Sequence, residues 1–352
     1  MLVALKLLLL LLALPLVVAL VVLAALYASP ARLYRGLMAV LVTRAGLLRR
    51  EVTLADGTRF VLYDGGRGEP LLLLHGFAVN KDNFLAIAPY LRGRHRLLIP
   101  DIPGFGESSP APDGDYSPAA QVDRLRELLR TMGIAGPVHV GGSSMGGLLA
   151  LTYGLRHGDH TKSLWLLDPA GVFDGPMTDI IQRAVAEQRS PFVVRSPEDL
   201  GELLRRAVAK PPYVPRPLLK WQARHFMANQ AVYDQVFAAL VDAAALQQEI
   251  AGMAIPTLIV WGQEDALLHP GGAPLLHALL PNSRLVMMPG IGHVPHIEAP
   301  LRVAEDLFVF EAAVAAAAAD AAEDAAARAS AASVGEPAAT AESEDMTEET
   351  EL

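Results

Sequence analysis

The chain has 352 residues, 52% of them hydrophobic, a net charge of −9 and no cysteine. The missing cysteines exclude disulfides, thiolate metal sites and lipid attachment through an N-terminal cysteine, and nothing basic and aromatic enough for nucleic-acid binding appears. The acidity belongs to one end: residues 311–352 hold eleven Asp and Glu against one Arg, a local charge of −10, so residues 1–310 sum to about +1.

Residues 7–28, LLLLLLALPLVVALVVLAALYA, carry no charge. As a helix they reach about 33 Å, enough for a ~30 Å hydrocarbon core. The run exceeds the roughly 7–15 apolar residues of a cleaved signal peptide, the competing reading, and no clean small-x-small site follows it. The expectation is a single-pass transmembrane anchor over 1–30. Lys6 precedes the span, and Arg32, Arg35, Arg44, Arg49 and Arg50 follow it. The positive-inside tendency then places the body in the cytoplasm, a periplasmic or extracellular body being the other arrangement. Residues 31–50, with Arg and Leu at helical spacing, read as a juxtamembrane helix, either interfacial or simply connecting.

The body alternates strand and helix. EVTLADGTRFVLYDGG (51–66) reads as a hairpin around Asp56-Gly57. PLLLLHGF (70–77) reads as a central strand buried on both faces, NKDNFLAIAPYLRG (80–93) as helix and HRLLIPD (95–101) as strand. A helix follows from about Pro118 to Met132, then a strand at GPVHVGG, a helix from about Met145 and a strand at KSLWLLDPAG (162–171). Residues 172–254 are mostly helical, with a proline-broken stretch at 210–221. PTLIVWG (256–262), a helix near 271–280, SRLVMMPG (283–290) and a helix from about Ala299 resume the alternation. The pattern predicts a mostly parallel sheet with helices on both faces, a core over 51–171 and 255–310, and an inserted helical lid over 172–254. Ligands of such sheets bind beyond the carboxyl ends of the strands. The tail, 311–352, is Ala-rich and then acidic; its first part extends the last helix, and the remainder lacks the apolar residues to form a core and is expected to be disordered.

HVGGSSMGGLLAL (139–151) is a strand-to-helix turn. A phosphate loop needs a Lys after the glycines, and a dinucleotide fingerprint needs a glycine at 143; neither is present. G-x-S-x-G fits Gly142-Ser143-Ser144-Met145-Gly146 and singles out Ser144, because framing on Ser143 puts Met145 where a glycine is required. A serine nucleophile needs a base, an orienting acid and oxyanion donors. Glu264 and Asp265 follow one later strand, and His293 and His296 follow the next.

Together HGF (75–77), DIPGFGES (101–108), GGSSMGG (141–147), WGQED (261–265) and GHVPHIEAP (292–300) resemble the α/β-hydrolase fold family over about residues 50–310. HGFAVNKDNF, SMGG and the apolar N-terminal run are most similar to the branch with membrane-bound monoacylglycerol lipases and related bacterial lipases. The resemblance implies Ser144 as nucleophile, Asp265 as acid and His293 as base, with Glu264 and His296 as alternatives. It also implies the backbone N–H groups of Phe77 and Met145 as oxyanion donors. His75 reads as a loop-backbone partner, His139 as a strand residue, and His157 with His160 as a solvated turn rather than metal ligands.

The implied reaction is ester hydrolysis through an acyl-enzyme, with no metal or organic cofactor and with a lipid ester, at a bilayer, as substrate. Carbon–carbon bond hydrolases and general carboxylesterases of the same fold are the nearest alternatives. A non-catalytic membrane scaffold is the alternative from another class.

Overall fold

The computed structural model describes residues 2–172, 175–187, 190, 192–241 and 246–334, the side chains of 2–12, 247, 327 and 329–334 excepted. Helices α1 (Leu2–Ala28) and α2 (Pro30–Arg44) lead into strands β1 (Leu47–Thr53), β2 (Arg59–Gly66) and β3 (Glu69–Leu74). Then come α3 (Ala88–Leu91), β4 (His95–Pro100), α4 (Pro118–Thr131), β5 (Val138–Ser143), α5 (Met145–Arg156) and β6 (Thr161–Leu167). Helices α6 (Asp179–Glu187), α7 (Pro197–Ala207), α8 (Arg216–Val241) and α9 (Leu246–Glu249) precede β7 (Thr257–Gly262), α10 (Gly272–Leu279), β8 (Ser283–Met288), α11 (Pro295–Glu298) and α12 (Pro300–Val334).

The eight strands form one sheet in the order β1-β2-β4-β3-β5-β6-β7-β8. The β1–β2 and β2–β4 pairs are antiparallel, and every pair from β3 and β4 onward is parallel. Parallel strands covered on both faces need continuous apolar runs, and Leu71 to Leu74 of β3 and Leu164 to Leu167 of β6 are all buried. The carboxyl ends of β3, β5, β6, β7 and β8 therefore point the same way, and the motifs picked out above follow them.

Two sequence expectations require correction. The helix expected over 31–50 stops at Arg44: Gly46 has φ +66, a left-handed backbone that ends a helix, and 47–50 already belong to β1. The helix expected over 80–93 is two short pieces, a 3₁₀ turn at Lys81–Phe84 and α3. Pro89 has no N–H to continue an earlier helix and sits in the first turn of a new one. The proline-broken stretch at 210–221 is irregular up to Pro215, and α8 starts at Arg216.

Helices α6 to α8 stand between β6 and β7, and the start of α7 is written in the sequence. In α7, the Ser196 hydroxyl accepts from Asp199 N while the Asp199 carboxylate accepts from Ser196 N, satisfying two otherwise free donors. Val194, Leu200 and Ala223 form a small core of their own.

Two compact units divide the chain, Met1–Leu307 and Phe308–Leu352. In the second, α12 continues to Val334; the expected disordered end, 335–352, lies outside the described residues. Among the described residues no helix is long and apolar enough to cross a membrane.

Candidate active site

Ser144 lies between β5 and α5 with φ 56° and ψ −118°, a conformation L side chains rarely adopt. Its N–H donates to Leu167 O (3.0 Å), and its carbonyl accepts from Gly147 N (2.9 Å) and Ala170 N (2.9 Å). The turn is fixed by the end of β6 as well as by its own helix. The two motif glycines leave no room for a side chain. A Cβ on Gly142 would stand 2.0 Å from Gly146 O, and one on Gly146 would stand 1.9 Å from Leu74 O. Met145 is the first residue of α5, so its N–H has no acceptor within the helix. Phe77 stands just past β3, where a Cβ on its neighbour Gly76 would touch Ser144 Cβ at 3.4 Å.

Asp265 and His293 come from the turns after β7 and β8, and each is 5% exposed. Asp265 Oδ2 accepts from His293 Nδ1 at 2.7 Å, while Asp265 Oδ1 accepts from Leu267 N (2.8 Å) and Leu268 N (2.9 Å). A carboxylate with three donors is held in one orientation, and the bond to Nδ1 leaves Nε2 as the free ring nitrogen. Glu264 is exposed. His296 is fully buried, packs against the Phe84 ring at a tilt of 30° and donates from Nε2 to Asn83 Oδ1 at 2.7 Å. Burial, and then the neighbouring His293, push the His296 imidazole down to about 3.

Around this pair the charges are paired. Lys81, buried, lies 2.7 Å from both Asp101 Oδ2 and Glu107 Oε2, and Asp101 Oδ1 accepts from Lys81 N at 2.7 Å. Burial disfavours the Lys81 ammonium, but the Asp101 and Glu107 carboxylates outweigh it and raise its pKa. Burial acts on Glu107 in the opposite sense to its Arg49 and Lys81 bonds, and the bonds hold its carboxyl at about 2. His75 donates from Nδ1 to Gly76 O (2.8 Å) and accepts from Ile102 N at Nε2 (3.0 Å). Both ring nitrogens are used and burial lowers its pKa, so it is a neutral backbone tie.

Ser144, His293 and Phe77 line one cavity of about 530 Å³. Its far walls are apolar: Phe192, Leu200, Leu203 and Phe226 come from the segment between β6 and β7, and Met38 comes from α2. Tyr34 of α2 also reaches it, donating to Asp82 Oδ2 at 2.9 Å and packing on Trp221.

Residues 69–300 match the family described as alpha/beta hydrolase fold. The chain belongs to the α/β-hydrolase family. This hydrolase is 38% identical over 265 residues to Lipase 1 of Psychrobacter immobilis, covering 74% of this chain and 83% of that one. It is 27% identical over 263 residues to the mouse (Mus musculus) monoacylglycerol lipase ABHD6, covering 70% and 78%. Among solved structures it is similar to a membrane phospholipase A described as a bacterial virulence factor, with TM-score 0.76, 32% identity, and coverage of 86% of this chain and 98% of that one.

The hydrolase carries site residues that the sequence did not single out. Asp168, at the end of β6, is fully buried, has φ 43°, and stands beside Asp265 and His293. Burial and the Asp265 charge raise its carboxyl well above the usual carboxylate range. Its only sequence signal is its place just after a strand, before Pro169; the approach to Asp265 is purely tertiary. Ala78, Ser144 and Asp168 are the non-glycine residues with positive φ among those described, and all three follow strands at the site end of the sheet, where such backbone strain concentrates.

Proposed function

We propose that this chain hydrolyses carboxylic esters of lipids, acylglycerols in particular, through a Ser144–His293–Asp265 triad and an acyl-enzyme. Its class, carboxylic ester hydrolase, is carried by its family and its lipase relatives. The observation that supports the finer reading best is the Asp265-bound imidazole of His293 opening, with Ser144, into one largely apolar cavity.

In this reading His293 Nε2 takes the Ser144 proton as Oγ attacks the ester carbonyl. Asp265 holds the imidazole in the Nδ1–H tautomer and balances the imidazolium. The Phe77 and Met145 N–H groups receive the oxyanion, helped by the positive end of α5. His293 then protonates the leaving alcohol, and water repeats the sequence on the acyl-enzyme. The apolar walls accept the acyl chain.

Residues 7–28 act as a membrane anchor, with the body on the cytoplasmic side. Supporting this, Leu14, Leu16, Leu20 and Val21 of α1 are more than half exposed, an apolar surface that water does not favour and lipid does. The anchor keeps the cavity near its lipid substrate.

The test is hydrolysis of a panel of mono-, di- and phospho-acylglycerols by detergent-solubilised protein, with Ser144→Ala as control. Turnover of acylglycerols that Ser144→Ala abolishes supports the reading. Full turnover by Ser144→Ala refutes the triad, and no turnover of any lipid ester refutes the substrate class. Labelling of wild type by a fluorophosphonate, absent from Ser144→Ala, separates an enzyme from a scaffold.

A further inference from the structure

The end of β6 brings a second carboxylate to the Asp265–His293 pair. Asp168 is fully buried, its N–H donates to Val260 O (2.9 Å), and its Oδ1 accepts from Gly262 N (2.9 Å). Its Oδ2 is buried and has no hydrogen-bond partner among the described residues. One oxygen of Asp168, one of Asp265 and a ring nitrogen of His293 all lie within 4.8 Å of one another. The Glu298 carboxylate also acts on Asp168; it accepts from Gly292 N and Ala209 N at its two oxygens.

Two carboxylates this close and this dry do not both ionise, so one keeps a proton. The donors decide which. Asp265 accepts three hydrogen bonds, one from the His293 ring, and every one of them favours its anion. Asp168 accepts a single backbone N–H, and its other oxygen is free to carry hydrogen. A protonated Asp168 Oδ2 also removes what is otherwise an orphaned buried polar atom.

We propose that Asp168 is a neutral carboxylic acid whose O–H donates to the Asp265 carboxylate, a positioning residue that fixes the acid of the triad. The inference rests on the triad reading above. A fourth donor prevents Asp265 from turning away from His293 Nδ1. It also keeps the pair at one negative charge, which matches the single positive charge the imidazole acquires in turnover. Asp168 keeps its proton throughout the cycle. The strained backbone at 168 aims the carboxyl toward β7 instead of letting it follow the strand. Burial and the Asp265 charge push its pKa in the direction this role requires.

The test uses the full chain in detergent with a soluble p-nitrophenyl ester. Asp168→Asn replaces the O–H with a weaker N–H donor of the same shape and should lose about 5-fold in kcat with KM little changed. Asp168→Ala, with no donor, should lose about 100-fold. The acid limb of kcat/KM in Asp168→Asn should stay where it is in wild type, because a neutral group replaces a neutral group. Infrared spectra at pH 8 should show a protonated-carboxyl C=O band in wild type that Asp168→Asn lacks. That difference and the limb remain readable if Asp168→Ala does not fold. A limb that moves down by about one unit or more means that a negative charge was removed and overturns the proposal, as does an absent infrared band. Equal losses in Asn and Ala variants reduce the residue to packing and overturn it as well. Full activity in Ser144→Ala, by contrast, would refute the triad and not this assignment alone.

Discussion

The Lys81 ammonium lies 2.7 Å from Asp101 Oδ2, and both side chains are buried. The pair joins the turn after β3, which carries Phe77, to the turn after β4, so it braces one wall of the cavity. Removing one partner of such a pair strands the other. Lys81→Met should cost about 3–5 kcal/mol of stability, read as a lower denaturant midpoint. Adding Asp101→Asn to Lys81→Met should restore part of the loss, since the stranded charge is gone while the amide oxygen still accepts from one of the two backbone N–H groups, Lys81 N or Glu107 N, that the carboxylate holds.

Gly146 is required by space alone. A Cβ there would stand 1.9 Å from Leu74 O and 2.8 Å from His75 O, both backbone atoms that cannot swing aside. Gly146→Ala should therefore cost about 3 kcal/mol or more and lower kcat sharply by shifting Ser144. Thermal unfolding and ester hydrolysis, measured side by side, check both.

His296 gives the protein an acid sensitivity whose sign follows from burial. Its folded pKa, about 3, lies below the ordinary histidine value of 6.5. As pH falls below 6.5 the unfolded chain takes up the proton first, so this contribution is present above pH 6.5 and is lost down to about pH 3. The loss is about 1.4 kcal/mol per pH unit within that window. His296→Asn, which can still donate to Asn83, should flatten the dependence of the denaturation midpoint on pH between 6.5 and 3.

The acid assignment separates two adjacent residues. Asp265 holds His293 Nδ1, whereas Glu264 is exposed. Asp265→Asn should lose about 10³–10⁴-fold in kcat, because the amide favours the wrong imidazole tautomer. Glu264→Gln should stay within about twofold. Steady-state kinetics on one ester distinguishes them.

Much of the fold was legible because its signals are local. Leu71–Leu74 announce a doubly covered strand, and Gly142-x-Ser144-x-Gly146 announces a turn that admits only glycine at two places. Asp265 and His293 were legible through motif resemblance, and the structure brings them together 28 positions apart. The end of α2 was readable in Gly46, and the break in the 80–93 helix in Pro89, but periodicity outweighed both in the sequence reading. DIPGFGES (101–108) was legible as one of the motifs, but the pairing of Lys81 with its Asp101 and Glu107 was not, and neither was Asp168. Asp168 meets Asp265 only because β6 and β7, about 90 residues apart, are neighbours in the sheet, and the Lys81 cluster needs the turns after β3 and β4 folded onto each other; no local spacing encodes either.

The most direct test of Ser144 as nucleophile is mass spectrometry of the full-length protein, quenched during turnover of a slow ester and digested. An acyl adduct on the peptide containing Ser144, absent from Ser144→Ala and accumulating in His293→Ala no faster than background, is the expected result. An adduct on any other residue, or rapid turnover without a trappable adduct in repeated quenches, would contradict the assignment.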